Sequence, residues 1–339
     1  MIRKVLFVFL FIIIAFLAYH YKSVIYGIGQ AAGQIEVLYN SKSIEKLLQK
    51  GELPDSTIKK FQYIQKVKSF AQDSLGLNPS KNYTTFYDQK GEAILWMVTA
   101  SPEFEIEAYQ WKFPIAGKFS YKGFFNHEKT KKEAERLSKK GFDVKISEVS
   151  AWSTLGFFRD PILSSMLNKA DGSLADLIIH ELSHATVYKK NQITFNENFA
   201  TFVGKEGAKR FLKYNFGEHS KELETYHKNQ TQSTFIRSFM QDATAQLDSL
   251  YSTFNSTMSL AEKRQAKAAQ IALIKDKLAH SNYYSNPEVG KKSLANFTIN
   301  NATLSAYKTY HEKQNTFEDR LKNEFNNDLK AFITAIKKE

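Results

Sequence analysis

The chain has no cysteine, and this absence excludes several kinds of site at once. Disulfide bonds, thiolate metal sites and attachment through a lipidated cysteine are ruled out, so any metal must be bound by histidine and carboxylate side chains. The sequence also has no internal repeat, no low-complexity linker and no glycine-rich phosphate-binding loop. Its 339 residues are enough for one large domain or two smaller ones.

The sequence has little that points to a nucleic-acid partner. The formal net charge is +12, but lysine and glutamate are interspersed along the helical stretches, and the aromatic residues do not interleave with arginine in a stacking pattern. The charge could indicate attraction to nucleic acid or to an anionic membrane surface, but these patterns favour a solvated surface. Hydrophobic residues make up 42% and charged residues 24% of the chain, which is the usage of a globular protein rather than of a multi-span membrane protein.

One long apolar run is present, at the N-terminus. Arg3 and Lys4 precede the uncharged residues 5–19. In a helix this run extends about 22 Å, which suits a signal-peptide core or a short membrane anchor. No Ala-x-Ala cleavage site follows it, which favours an uncleaved anchor over a cleaved signal, although both stay open. With the two cations inside, residues 1–22 predict that the rest of the protein lies outside the cytoplasm.

The remainder of the chain, residues 23–339, is predicted to form one α+β domain. Residues 30–80 have a helical pattern, and residues 83–125 have a strand pattern. A long helical hairpin is predicted within residues 205–285, because apolar residues there repeat at spacings of three and four. Its two stripes and the capping pair between them are Ile236, Met240, Ala243, Leu247, Leu250 and Phe254; Ser259 and Glu262; and Ala268, Ile271, Ile274 and Leu278.

Four segments in the first half carry more local patterns. Residues 93–100 are an apolar run of strand type. Residues 104–113 alternate in polarity but change phase in the middle, which predicts a strand with a bulge. Residues 127–140 predict a charged, solvated helix, and the alternation over residues 142–146 predicts another strand.

Two further patterns concern helix boundaries. Ser173 and Asp176 have the spacing of a capping box, which predicts a helix start just before the segment that carries two histidines. Near the C-terminus, the apolar residues of segment 321–332 predict a single last helix.

The segment His180-Glu181-Leu182-Ser183-His184 has the spacing of a metal site. Helical residues four apart differ by about 40° around the axis, so both histidines can reach one cation. Glu181 lies on the flank of that face, where its carboxylate can reach a metal-bound water. The alternative is a buried helix whose histidines make ordinary hydrogen bonds. Because the helix is apolar nearly all round, two imidazoles and a carboxylate placed there need partners.

A catalytic zinc site usually has three protein ligands, and the third candidate is Glu197. Twelve residues separate it from His184. It belongs to a second amphipathic helix and lies off the apolar stripe, so it can face the first helix across the turn at residues 189–194. The alternative is a first-turn glutamate that complements the helix dipole. If all three residues are ligands, their nitrogen and oxygen atoms should lie about 2.0 to 2.2 Å from one point. The stripe comprises Phe195, Phe199, Phe202 and Val203.

The pairing of His-Glu-x-x-His with a downstream Asn-Glu-x-x-Ala resembles the glutamate zincins, the thermolysin-like metallopeptidases. Within them the chain is similar to a family of bacterial exported proteins described as putative aminopeptidases. Besides the zinc segment, the stretches that carry this resemblance are Tyr26-Gly-Ile-Gly-Gln30 with Gly33-Gln34, Phe119–Phe125, Ala151–Pro161 running on to Met166, and Asn300-Asn-Ala-Thr-Leu304 with Tyr310-His311.

The resemblance implies a zincin-like metallopeptidase core with Zn²⁺ bound by His180, His184 and Glu197, and Glu181 as general base. It also implies export to the periplasmic side of an inner membrane. The chain departs from such relatives in having no lipoprotein cysteine. It departs from better-known zinc aminopeptidases in having no Gly-x-Met-Glu-Asn element to bind a free α-amine.

A peptidase site also needs a donor for the oxyanion that forms on the scissile carbonyl, usually a tyrosine hydroxyl or a histidine. The candidates are Tyr310, His311, Tyr307 and Tyr121. Residues 153–156 either line the cleft or form a tight structural turn. The predicted function is a membrane-anchored zinc peptidase acting on peptides or proteins. The alternative is a non-catalytic envelope protein, either a zinc-containing peptide binder, against which the intact Glu181 argues, or a helical scaffold.

Overall fold

The structure is a computed structural model that describes residues 2–114, 117–149, 159–190, 192–309 and 314–339. The helices are α1 (Ile2–Tyr19), α2 (Tyr21–Asn40), α3 (Ile44–Lys50), α4 (Asp55–Asp73), α5 (His127–Ser138), α6 (Asp171–His184), α7 (Ile193–Phe216), α8 (Lys221–Ser252), α9 (Leu260–Ala279), α10 (Pro287–Leu294), α11 (Asn301–Thr309), α12 (Gln314–Asn323) and α13 (Leu329–Lys338). The strands are β1 (Lys42–Ser43), β2 (Thr85–Tyr87), β3 (Trp96–Pro102), β4 (Trp111–Phe113), β5 (Gly117–Phe119), β6 (Lys122–Phe124), β7 (Phe142–Glu148) and β8 (Ile162–Leu163).

The strands of the described residues form three small sheets. In the first, β2 runs antiparallel to β1 and parallel to β8. In the second, β3 lies between the antiparallel strands β6 and β7, and its pairing with β7 extends from Trp96 opposite Glu148 to Pro102 opposite Phe142. β4 and β5 pair with each other. With 64% of the residues in helices, the protein is a helix-rich α+β fold, as the sequence predicts.

The largest core surrounds α6 and α7. Phe199, Phe202 and Val203 of α7 are buried in it, and Phe195 packs against it, which confirms the predicted stripe. Each fully buried Leu, Ile or Phe side chain contributes roughly 1.5 to 3 kcal/mol, so the position of these two helices is strongly fixed. The residues of α6 that are 0% exposed are Leu174, Ala175, Ile178, Ile179 and Leu182.

α8 and α9 form the predicted helical pair around a second core. Ser259 caps α9 as expected, because its hydroxyl accepts from the Glu262 amide at 3.2 Å and the Glu262 carboxylate accepts from the Ser259 amide at 2.7 Å. Residues 205–216 belong to α7, so the pair begins at α8 rather than at residue 205. The buried apolar residues of the two helices include Met240, Ala243, Leu247, Ile274 and Leu278.

The N-terminal helix α1 is long and apolar enough to cross a membrane. Its 18 residues have a mean hydropathy of 2.4 and none of them is buried inside the structure. α2 follows it directly and is fixed to β6, since the Tyr26 hydroxyl and the Gln30 amide both donate to the Gly123 carbonyl at 2.9 Å. A Cβ on Gly33 would lie 2.2 Å from the Phe125 ring, so only glycine permits this approach.

The predicted bulged strand over residues 104–113 is wrong. Residues 103–110 are not part of a strand, and β4 covers only residues 111–113. Phe104 and Ile106 pack into the α8–α9 core, whereas Trp111 packs into a separate core beside β3 and α5. The alternation of apolar residues changes phase because the chain passes from one core to the other here.

Two predicted helix boundaries are also wrong. α6 starts at Asp171, and Ser173 and Asp176 lie inside it without capping it. The start is fixed by tertiary contacts, because Lys60 Nζ donates to the Asp171 carboxylate at 2.6 Å. At the C-terminus there are two helices, α12 and α13, instead of one. Asn326 and Asn327 have φ values of 48° and 62°, a left-handed conformation that ends a helix.

Asn301 explains the structural part of the Asn-Asn-Ala-Thr-Leu motif. Its side chain is fully buried and donates to the carbonyl oxygens of Pro102 and Glu103 at 2.9 and 3.0 Å. Its side-chain oxygen accepts from the Tyr251 hydroxyl at 2.8 Å, and its backbone amide donates to Asp143 at 2.8 Å. One amide group thus joins α8, α11 and the end of β3.

We expect Asn301→Ala to lower the free energy of unfolding by about 2 to 4 kcal/mol, because it leaves a buried hydroxyl and buried carbonyls without their protein partner. Urea denaturation of the purified full chain measures this change. Asn296→Ala, at an exposed position a few residues earlier, is the matched control and should change stability by less than about 0.5 kcal/mol. Equal effects of the two substitutions would contradict the assigned role of Asn301.

Candidate metal centre

The structure brings His180, His184 and Glu197 together. The Nε2 atoms of the two histidines are 3.2 Å apart. Glu197 Oε1 lies 3.6 Å from His184 Nε2, and Glu197 Oε2 lies 3.8 Å from His180 Nε2. One potential ligand atom from each residue lies within 4.8 Å of the others. The turn between α6 and α7 therefore folds Glu197 back onto the histidines, as the sequence predicts.

These separations suit a tetrahedral ion. Ligand atoms placed about 2.0 to 2.1 Å from a tetrahedral centre lie about 3.3 Å from one another. The two imidazole nitrogens already have this spacing. The two carboxylate oxygens each lie near a different nitrogen, so a side-chain rotation of Glu197 would be needed to bring one oxygen to the same distance from both. At 3.6 and 3.8 Å the carboxylate makes no hydrogen bond to either ring. The three side chains thus form an open cluster that can hold a metal ion.

The protonation state of the cluster also suits a cation. Burial, with a smaller contribution from His184, lowers the pKa of His180 to about 4, and burial lowers the pKa of His184 to about 4. Both rings are therefore neutral near pH 7 and have a lone pair to offer. Burial raises the pKa of Glu197. Since neutral imidazoles form no ion pair with this carboxylate, a divalent cation would supply the charge that the cluster lacks.

His184 is 4% exposed, and its two ring nitrogens have different surroundings. Within the described residues, its Nδ1 is buried and makes no hydrogen bond. Burying an imidazole without polar contacts is unfavourable. The other nitrogen, Nε2, faces His180 and Glu197 and is the atom of this ring that could bind a metal ion.

Two glycines of α7 allow the two ligand-bearing helices to approach closely. A Cβ on Gly204 would lie 2.6 Å from the Asp176 carboxylate and 3.1 Å from His180 Cβ, and a Cβ on Gly207 would lie 2.9 Å from the Ile179 side chain. Sequence reasoning missed both. A signal was available, because Gly204 follows Glu197 by seven residues and so lies two turns along the same helix face.

The turn between the helices is held by Asn196. Its side-chain oxygen accepts from the Lys189 amide at 2.8 Å, and its side-chain nitrogen donates to the Lys189 carbonyl at 2.9 Å. Asn196 is 2% exposed, so this pair of bonds is shielded from water. In the Asn-Glu pair of the motif, Asn196 therefore closes the turn and Glu197 reaches the histidines.

A buried carboxylate fixes α6 one turn before His180. Asp176 accepts from the Tyr226 hydroxyl at 2.7 Å and from the Gln230 amide at 3.2 Å, and both donors are on α8. Burial raises the pKa of Asp176. α6 is thereby attached to α8 as well as to α7.

Glu181 is half-buried on α6, next to the first histidine. Its charge acts on Tyr83, whose pKa is raised well above its usual value by burial and then by the charges of Glu181 and Asp160. Tyr83 has a φ of 62°, a left-handed backbone that costs about 1 kcal/mol or more. Sequence reasoning did not identify it, because a tyrosine in this conformation leaves no local pattern.

The candidate oxyanion donors have different positions. Tyr310 and His311 lie outside the described residues, as does the 153–156 segment. Tyr121 is 43% exposed, and partial burial and then the charge of Glu197 raise its pKa. Tyr307 packs against the α8–α9 core, where its charged neighbour is Arg237.

Two neutral imidazoles and a carboxylate on two closely packed helices define a protein with a potential metal centre. The chain belongs to the family whose model is described as "Putative aminopeptidase", which matches residues 25–338. This confirms the family resemblance seen in the sequence motifs, and the family indicates a peptidase. Comparison with curated proteins and with solved structures gives no match.

We expect Gly204→Ala to separate α6 from α7 and to weaken metal binding, because the added methyl group has no room beside Asp176 and His180. Overpacking of this kind typically costs about 1 to 3 kcal/mol. Zinc affinity measured by chelator competition and the thermal unfolding midpoint should both fall. Gly27→Ala is the control, since a Cβ there meets nothing within 4 Å in a helix. Unchanged zinc affinity in Gly204→Ala would show that the helix spacing does not set the site.

Proposed function

We propose that the protein is a zinc-dependent peptidase of the glutamate-zincin type, anchored in a membrane by α1 and facing the periplasm or cell envelope. The observation that carries the proposal is the spacing of the three ligand atoms, with Nε2 atoms 3.2 Å apart and a carboxylate within 4 Å of both. His180, His184 and Glu197 would hold the ion and leave a fourth position open. Membership of the aminopeptidase family supports peptide or protein substrates.

The proposed chemistry uses residues of α6. When bound, zinc polarises the scissile carbonyl and acidifies a water molecule. Glu181 follows His180 directly and is half-buried, so its carboxylate can accept the proton of the attacking water and transfer it to the leaving amine. The neutral state of both histidines at pH 7 keeps them available as ligands while this proton moves.

A second residue is proposed to stabilise the oxygen that gains negative charge. Among the candidates within the described residues, Tyr121 is the one whose pKa the charge of Glu197 helps to raise, and its hydroxyl can donate a hydrogen bond. A positioned donor of this kind lowers the barrier more than it strengthens substrate binding.

We expect the wild-type full chain to contain about one zinc per molecule and to cleave members of a peptide library, while Glu181→Gln retains the zinc and loses cleavage by about 10²- to 10⁴-fold. Elemental analysis and mass spectrometry of digests measure the two quantities. Peptides with free and with acetylated N-termini distinguish an aminopeptidase from an endopeptidase. Glu224→Gln, at an exposed position of α8, is the control.

Three results would argue against this assignment. Absence of stoichiometric zinc from the wild-type protein would contradict the assignment of the metal site. Zinc binding without any cleavage would favour a zinc-containing peptide-binding or scaffold protein of the envelope. Full activity of Glu181→Gln would exclude this residue as the general base.

For Tyr121→Phe we expect kcat to fall about 10- to 100-fold with little change in KM or in zinc content, because the lost hydroxyl acts on the transition state. Steady-state kinetics on a cleaved library peptide gives both constants. Tyr214→Phe, which alters a tyrosine that is 76% exposed, should leave them unchanged. An unaltered kcat in Tyr121→Phe would transfer the role to Tyr310 or His311.

A further inference from the structure

A basic cleft lies beside α2, just after the end of the apolar helix α1. It is formed by α2, β6 and the start of α5 and has a volume of about 540 Å³, within the roughly 300 to 1,000 Å³ of typical ligand sites. Two carboxylates, Glu36 and Glu133, also line it. The cations that line it are Lys22, Lys122, Lys129, Lys132 and Arg136, which leaves an excess of positive charge.

One of the two carboxylates is already neutralised within the protein. Glu133 accepts two hydrogen bonds from Arg136 at 2.9 Å and one from the Trp111 indole at 2.7 Å, and it lies 3.6 Å from Lys122 Nζ. Burial opposes its ionisation, but these partners dominate and lower its pKa to about 2. Glu133 therefore does not offset the remaining lysines.

Three lysines of the cleft remain available to an anion. In the described part of the chain, no carboxylate lies within ion-pair distance of Lys22, Lys129 or Lys132. Lys129 extends across α2, with its Nζ 3.9 Å from the place that a Cβ of Gly29 would occupy. The two helices thus direct cations into one cleft from opposite sides.

An apolar cleft adjoins the basic one. It has a volume of about 460 Å³, and Tyr26 lines both clefts. Its wall begins in the last turn of α1 and continues into the β4–β5 hairpin. A charged cleft and an apolar cleft that share one wall match a ligand with a charged head and an apolar tail. The apolar residues lining the second cleft include Phe16, Leu17, Val24, Phe113, Pro114 and Phe119.

We propose that the two clefts together bind one anionic phospholipid from the membrane in which α1 is anchored. The lysines of α2 and α5 bind the headgroup phosphate, and the apolar cleft takes the start of the acyl chains. Lys22 follows the last residue of α1 by three positions, so the end of the basic cleft at Lys22 lies at headgroup level when α1 spans the bilayer. Basic residues placed there are attracted to anionic lipids. This inference uses the anchoring by α1 and does not depend on peptidase activity.

Short-chain lipids test the proposal on the full chain in neutral detergent. Dioctanoyl phosphatidylglycerol should raise the thermal unfolding midpoint in a saturable way, whereas dioctanoyl phosphatidylcholine and inorganic phosphate at equal concentration should not. Lys129→Gln/Lys132→Gln should weaken the apparent affinity for the anionic lipid by roughly 10- to 30-fold. The matched control is Lys139→Gln/Lys140→Gln, which removes the same charge just beyond the end of α5, at exposed positions.

Four outcomes would overturn the proposal. Equal stabilisation by the two lipids would show an unselective apolar site, and equal stabilisation by inorganic phosphate would show a free-anion site. Stabilisation by a hexaglutamate peptide instead of lipid would assign the cleft to acidic peptides. Equal weakening by the two double variants would show a general charge effect. If Lys129→Gln/Lys132→Gln unfolds at a lower temperature without lipid, Lys22→Gln serves as the variant, with an expected weakening of about fivefold.

Discussion

The close packing of α6 against α7 is the contact on which the candidate metal centre depends. The two histidines come from one helix and the carboxylate from the other, so the distance between the helices sets the distance between ligands. A metal site tolerates errors of only about 0.2 Å in its bond lengths, far less than the width of a methyl group. Gly204 removes that methyl group at the crossing, and Asn196 closes the turn that brings α7 back. Because a bound ion would link the same two helices, metal binding and the packing of this core should stabilise each other.

The ligands could be predicted from the sequence because their signal is local. A spacing of four in His180 and His184 is sufficient to place both on one side of a helix, and a short connection is sufficient to return Glu197 to them. The supporting residues could not be predicted in the same way. Gly204 and Asn196 act through contacts between two helices, and nothing in the residues next to them records which helix they face. Their recognition required the structure, although the spacing of seven from Glu197 to Gly204 is consistent with a shared face.

The predictions that were wrong have one physical origin. Capping and alternation are local preferences worth about 1 kcal/mol or less, and tertiary contacts outweigh them. α6 starts at Asp171, where the contact with Lys60 supports an earlier start than the capping pattern suggests. The chain turns at the end of β3, where the side chain of Asn301 donates hydrogen bonds to the carbonyl oxygens of Pro102 and Glu103. Alternation continued through this turn only because successive apolar residues are divided between two cores.

The segment from Tyr121 to Gly123 is held against α2, the helix that follows α1. Gly123 accepts hydrogen bonds from two residues of α2, and Lys122 lies 4.8 Å from the Tyr26 ring. Tyr121 lies two residues before Gly123, and its pKa is raised by burial and then by the charge of Glu197. α2 in turn follows α1 with a single break at His20. If α1 is anchored in a bilayer as proposed, the hydrogen bonds from α2 to Gly123 would relate the orientation of this segment, and of the candidate metal centre, to the membrane.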